Sequence, residues 1–168
     1  MSIDADIAAF GQSSGIFDLM NTAWGWPIAE SLHFIGLSAI FGTIGIVDLR
    51  LLGFARAIPL IALHKLTRIG IAGFVVNAIT GIAFFVSAPD QYLYNPAFQL
   101  KVLCILIAAT NVLAFYAFAW PGIRRSPTIV SPLARLCAAI SLTAWLGVIT
   151  FGRLITFYRP PERWCFWC

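Results

Sequence analysis

The chain has 168 residues, enough for one domain, and 60% of them are hydrophobic while only 11% are charged. Soluble domains run at about 45–50% apolar and about 25% charged, so this composition leaves too little polar surface for a water-facing globule. The net charge of +4 does not mark a nucleic-acid-binding protein, because the basic residues stand in loops between apolar segments and not along one face.

At the N-terminus, "MSIDADIAAF" carries acids where a signal peptide has its basic region, and no apolar run with a cleavage site follows, so no signal peptide is expected. Residues 1–23 mix Ile, Phe, Leu and Met with Asp and Ser, which predicts one or two short amphipathic helices lying on the outer membrane surface. Four segments then follow that are apolar over about 20 residues, the length that crosses a bilayer. They are residues 26–47, 69–88, 97–120 and 132–157. Pro27, Pro96 and Pro132 each fall at a predicted span start, where a missing N–H costs least. The expected architecture is all-α: an integral membrane four-helix up-down bundle over residues 24–158, preceded by the interfacial arm and followed by an outer-side tail at 159–168.

Orientation follows from the basic residues. The loop after the first span holds Arg50, Arg56, Lys65 and Arg68, and the loop before the fourth holds Arg124, Arg125 and, at its edge, Arg135. These seven of the eleven basic residues share their side with one acid, Asp48. The other side has Asp4, Asp6, Asp18, Glu30, Asp90 and Glu162 with the remaining four basic residues. Both basic loops are therefore predicted to face the cytoplasm and both termini to face out. Trp24, Trp26, Tyr92, Tyr94, Tyr158, Trp164 and Trp167 then form an aromatic belt at the outer interface.

Within the spans, four ionisable residues stand out. Glu30 and His33, in "WGWPIAESLHFIG", lie one helical turn apart on one face of the first span. Lys101 lies about one turn into the third span and Arg153 about one turn before the end of the fourth, so all four share a depth on the outer side. A charge at mid-membrane costs about 2.5–3.5 kcal/mol on the insertion scale, and pairing Glu30 with Lys101 or Arg153 would offset that. The plainer reading of Lys101 and Arg153 is that each snorkels to the headgroups. Stripes of Lys101, Cys104, Ala108 and Asn111 on the third span, and of Gly70, Gly73, Asn77 and Gly81 on the second, point inward; Gly36, Gly42 and Gly45 let the first span approach closely. Asn77 and Asn111 read as hydrogen bonds between helices, and Cys104 and Cys137 as packing residues.

A four-helix membrane bundle with an intraspan histidine points to a b-type haem, held as a rule between two histidines on facing helices. The chain has only His33 and His64. His33 lies in the outer half of the first span, about 22 Å of helix from Asp48 at its inner end, whereas His64 falls in the inner loop. One chain cannot bracket a haem with both. His33 alone, or a haem shared with a second copy or another subunit, remains open. In "RWCFWC", Cys165 and Cys168 form a CxxC spacing that reads as a local disulfide outside the cytoplasm. No nucleophile elbow, phosphate loop or HExxH pattern appears.

The stretches "WPIAESLHFIGLSAIFGTIGIVDLRLLG", "YNPAFQLKVLCILIAATN" and "WLGVITFGRLITFY" resemble a bacterial family of four-helix inner-membrane proteins known as a domain of unknown function. The resemblance implies an inner-membrane location and carries no activity. A more distant likeness, resting on "LHFIG", small residues and a terminal Leu-Arg, is to HemJ-type and CopD-type membrane proteins. In HemJ-type proteins the first-span histidine is associated with haem, which maps onto His33 alone; the chain departs from that pattern in lacking a second well-placed histidine.

Together these observations predict a redox-associated inner-membrane subunit. Glu30, His33, Lys101 and Arg153 would line an outward-opening pocket for haem b, a quinone or another polar or anionic ligand, with His33 as axial ligand or hydrogen-bond donor. Two other classes compete. One is a cofactor-free membrane anchor that assembles with a periplasmic or membrane partner or with copies of itself. The other is a small transporter or metal-handling protein using Glu30 and His33.

Overall fold

The computed structural model describes residues 3–126 and 129–158. The expectations for Glu162, Trp164, Cys165, Trp167 and Cys168 lie outside the described residues. The N-terminal arm forms two short helices, α1 (Ile3–Ser13) and α2 (Ile16–Met20), separated by Gly15 at φ 75°. The chain continues through α3 (Gly25–Leu52), α4 (Leu60–His64), α5 (Thr67–Ser87), α6 (Pro89–Leu93) and α7 (Pro96–Ala114). A π-helical turn at Phe115–Ala119 leads into α8 (Trp120–Arg125), and α9 (Pro132–Leu154) closes the fold. No strand occurs among the described residues. Four helical stretches are long and apolar enough to cross a membrane: Gly25–Leu52, Leu60–Ser87, Pro96–Arg125 and Pro132–Leu154.

Local chemistry explains the boundaries. α3 runs through Asp48 and Arg50, both expected in a loop, and stops at Gly53, whose φ of 109° suits the left-handed closing position that glycine adopts without strain. The second stretch starts earlier than expected, because α4 brings His64 into helix. The third reaches Arg125. Pro121, in the first turn of α8, cannot supply an N–H and crowds the carbonyl four residues upstream, and the widened π turn sits directly before it. The fourth ends at Leu154, three residues short of expectation. α7 and α9 each open on proline behind a polar cap. Ser131 accepts from the Ala134 N–H, and Asn95 accepts from the Ala97 and Phe98 N–H groups.

The helices pack as two pairs, α3 with α5 and α7 with α9, joined where α3 meets α9. Between α5 and α7 the backbones make no comparable contact, and apart from Phe85 stacked on Phe98 with ring centroids 5.6 Å apart the bundle is open along that side. Small residues set the first pairing. A Cβ on Gly36 would stand 2.7 Å from the Gly73 carbonyl oxygen, and one on Gly73 would stand 2.7 Å from that of Gly36. Gly70 likewise abuts Thr43. Gly42 and Gly45, expected to share this role, have open space where a Cβ would be. In the second pairing, a Cβ on Gly147 would lie 2.7 Å from Cys104 Sγ. Both amides expected to bridge helices do so: Asn77 Nδ2 donates to the His33 carbonyl at 2.8 Å, and Asn111 Nδ2 donates to the Cys137 carbonyl at 2.9 Å. Cys104 and Cys137 are free thiols within the packing. One core cluster gathers Leu51, Leu60, Ile123 and Ala134; a second gathers Ile40, Ala108, Trp145 and Val148. The arm folds back on the far ends of α5 and α6, with Gly11 tight against Val86.

Candidate functional site

The open side between α5 and α7 holds two cavities. The smaller, about 330 Å³, is lined by His33 of α3, by Phe74, Asn77 and Phe85 of α5, and by Phe98 and Lys101 of α7. The larger, about 410 Å³, lies further along the same helices and includes Asp48, His64, Asn111 and Ser141 among many apolar neighbours. Phe74 and Ile105 line both and stand between them.

His33 is set by a chain of contacts through α5. Its Nδ1 lies 2.8 Å from Thr80 Oγ1, and that hydroxyl lies 2.8 Å from the Val76 carbonyl one turn back. Thr80 has one proton to give. With that proton on Val76, its oxygen accepts from His33 Nδ1–H, which leaves the Nε2 lone pair without a protein partner among the described residues. The ring packs edge-on to Phe84 with centroids 5.5 Å apart, and Phe84 stacks on Trp26 at 5.1 Å. The imidazole is thus fixed in position, half-buried, at the wall of the smaller cavity.

Lys101 reaches the same cavity from α7. Its stem lies along Gly152 of α9, where a Cβ would meet Nζ at 3.6 Å. The ammonium has no hydrogen bond or ion pair among the described residues, although its side chain is largely covered. A cation held among apolar groups without a counter-charge is costly unless something else neutralises it.

The other two expected site residues stand elsewhere. Glu30 is exposed on α3 and lines neither cavity, and no ion pair joins it to Lys101 or Arg153 among the described residues. Arg153 is exposed on α9, with its guanidinium carbon 5.6 Å from the centre of the Phe157 ring. Both sit at chain depths that match His33 and Lys101, so depth alone brought the four together. Rotation about the helix axis separates them. His64 lines the larger cavity, not the smaller, and stacks on Trp120 with centroids 4.1 Å apart.

Two residues the sequence did not mark belong to the described architecture around the site. Asp48 is 5% exposed, and its Oδ2 has no hydrogen-bond partner among the described residues. The helix-stop signal of Gly53, five residues on, places Asp48 inside a helix and was available in the sequence. Asn95 is fully buried, capping α7 while its Nδ2 donates to the carbonyls of Ile155 and Tyr158 beyond α9. It ties the start of α7, and hence Lys101, to the end of α9. Among the described residues no cluster of three or more His, Cys, Asp or Glu side chains is arranged to hold a metal ion. No family model, curated protein or solved structure matches the chain.

Proposed function

We propose that this chain is an integral membrane protein, an up-down bundle of four spans, that binds the polar head of a quinone-type isoprenoid in the cavity shared by His33 and Lys101. The observation that carries the reading is the Lys101 ammonium, without a partner among the described residues, beside an oriented imidazole at the open side of the bundle. The ammonium donates to a carbonyl or phenolate oxygen, and the His33 Nε2 lone pair accepts a ring hydroxyl. The charge-assisted bond from Lys101 contributes about 1.5–3 kcal/mol and the neutral one at His33 about 0.5–1.5 kcal/mol. The gap between α5 and α7 lets an isoprenoid tail leave sideways into lipid. Support for the membrane setting comes from an inside-out pattern. Ile35, Ile71, Leu113 and Phe118 are 64%, 63%, 72% and 73% exposed, while glycine and alanine fill the helix contacts. Such a protein would serve a redox system as its membrane subunit.

Haem b is the second reading, favoured by one detail. An imidazole whose Nδ1–H is held by a hydroxyl presents Nε2 as a ligand to iron. The residues fit only part of that role. His33 would hold the iron and Lys101 would meet a propionate, but His64 lines a different cavity, so two histidines of one chain do not enclose one haem. The test is solvent extraction of the detergent-purified protein with mass spectrometry, together with absorption spectra before and after dithionite. A quinone-type isoprenoid retained by the wild type and lost from Lys101→Met and His33→Leu is the expected result. A Soret band lost in His33→Leu would favour haem instead, and neither signal from folded protein would overturn both.

A further inference from the structure

The larger cavity carries a second site of opposite charge. We infer that it binds a lipophilic organic cation, a protonated amine or a quaternary onium with apolar substituents, with the Asp48 carboxylate as its counter-charge. Asp48 is 5% exposed, lines this cavity, and leaves Oδ2 without a hydrogen-bond partner among the described residues. The Ser141 hydroxyl of α9 bonds its carboxyl group, and the Cys137 thiol of the same helix lies near it. No ion pair reaches Asp48 among the described residues. Arg50, two residues on, turns its Nε to the Ile58 carbonyl at 2.8 Å, and His64 lies against Trp120 with Tyr116 Oη 3.4 Å from its Nδ1. A buried carboxyl group with an unpartnered oxygen meets the cost of burial either by holding a proton or by taking up a positive charge, and a bound organic cation supplies the second.

The walls decide what kind of cation. A hard metal ion takes six or more oxygens, and this cavity does not provide them. It offers aromatic faces instead: Phe74 from α5, Phe115, Tyr116 and Trp120 from the π turn and its continuation, and Trp145 from α9. Ring faces attract cations electrostatically, and apolar substituents gain from leaving water for such walls. The volume of about 410 Å³ lies within the range that takes small-molecule ligands. Entry from the lipid side through the gap between α5 and α7 suits a ligand that partitions into membranes. The site shares only Phe74 and Ile105 with the His33–Lys101 cavity and stands or falls independently of the function proposed for it.

The test is titration of the full-length protein in detergent with tetraphenylphosphonium, followed by tryptophan quenching and by equilibrium binding. Wild type is expected to bind saturably, and Asp48→Asn, which keeps the shape and removes the charge, to bind about tenfold more weakly or worse. Should Asp48→Asn fail to fold, the paired changes Trp120→Phe and Trp145→Phe keep the walls aromatic while removing the reporters nearest the site. The quench is then expected to fall sharply and equilibrium binding to weaken severalfold, because phenylalanine faces attract a cation less strongly than tryptophan faces. Absence of saturable binding to wild type overturns the inference, as does equal affinity in folded Asp48→Asn or a quench untouched by losing both tryptophans.

Discussion

At the scale of single residues, the most consequential side chain outside the cavities is Asn95. Its one amide meets two helix ends at once, accepting from the Ala97 and Phe98 N–H groups and donating to the Ile155 and Tyr158 carbonyls. Replacing it with alanine removes a cap, at about 1 kcal/mol, and strips a buried donor from two carbonyls, at about 1–3 kcal/mol more. Asn95→Asp separates the two roles, since a carboxylate still caps α7 but cannot donate. If the tie to α9 matters as much as the cap, thermal unfolding in detergent will show Asn95→Asp nearly as destabilised as Asn95→Ala. Full rescue by aspartate would show that capping alone is at work. His33 and Lys101 belong to this scale too. Their types and depth were readable from the chain, and so was their distinction from His64. That Glu30 and Arg153 point away from them was not, because depth depends on position along a helix whereas facing depends on the rotation that packing imposes.

Among the helices, the tightest crossing is between α3 and α5 at Gly36 and Gly73. Any residue but glycine at these two positions would drive Cβ into backbone oxygen. Gly36→Ala is therefore expected to destabilise the protein by about 1–3 kcal/mol, the usual cost of overpacking. Gly42→Ala, on the same helix with open space around it, is expected to be neutral or stabilising by up to about 1 kcal/mol through helix propensity. Detergent melting curves of the two variants check this, and equal shifts would mean that the crossing is looser than these contacts require. The sequence marked Gly36, Gly42 and Gly45 of α3 alike, since spacing alone identifies small-residue stripes without saying which member meets a partner. It located the four apolar stretches to within a few residues of their centres and erred at their ends. The reason is physical: Asp48 and Arg50 look like loop residues until Gly53 is recognised as the helix stop, and the π turn before Pro121 continues a helix that a proline would ordinarily end. The gap between α5 and α7 has no signature in the sequence, because it arises from how two helix pairs are set against each other.

For the whole molecule, the distribution of Arg and Lys predicts that the loop between α3 and α4 faces the cytoplasm and the N-terminal arm faces out. In a variant free of native cysteines, Ala57→Cys should react with an impermeant maleimide only after the membrane is breached, and Thr22→Cys should react in intact cells. The same labelling pattern for both would contradict the four-span topology. Two pockets of unlike character lie along one open side of the bundle, one with the Lys101 ammonium and one with the buried Asp48 carboxyl group, whose Oδ2 has no partner among the described residues. The most direct test of the proposed function is a titration of the purified protein with a short-chain quinone analogue, read by quenching of the tryptophans, of which Trp26 stacks on the ring that packs against His33. Wild type should saturate. Lys101→Met should bind about tenfold more weakly or worse, since a charge-assisted hydrogen bond carries about that much affinity, whereas Arg153→Met and Asp48→Asn should bind as wild type does. Equal affinity in wild type and folded Lys101→Met, or no saturable binding in either, would contradict the assignment of the His33–Lys101 cavity as a quinone-head site.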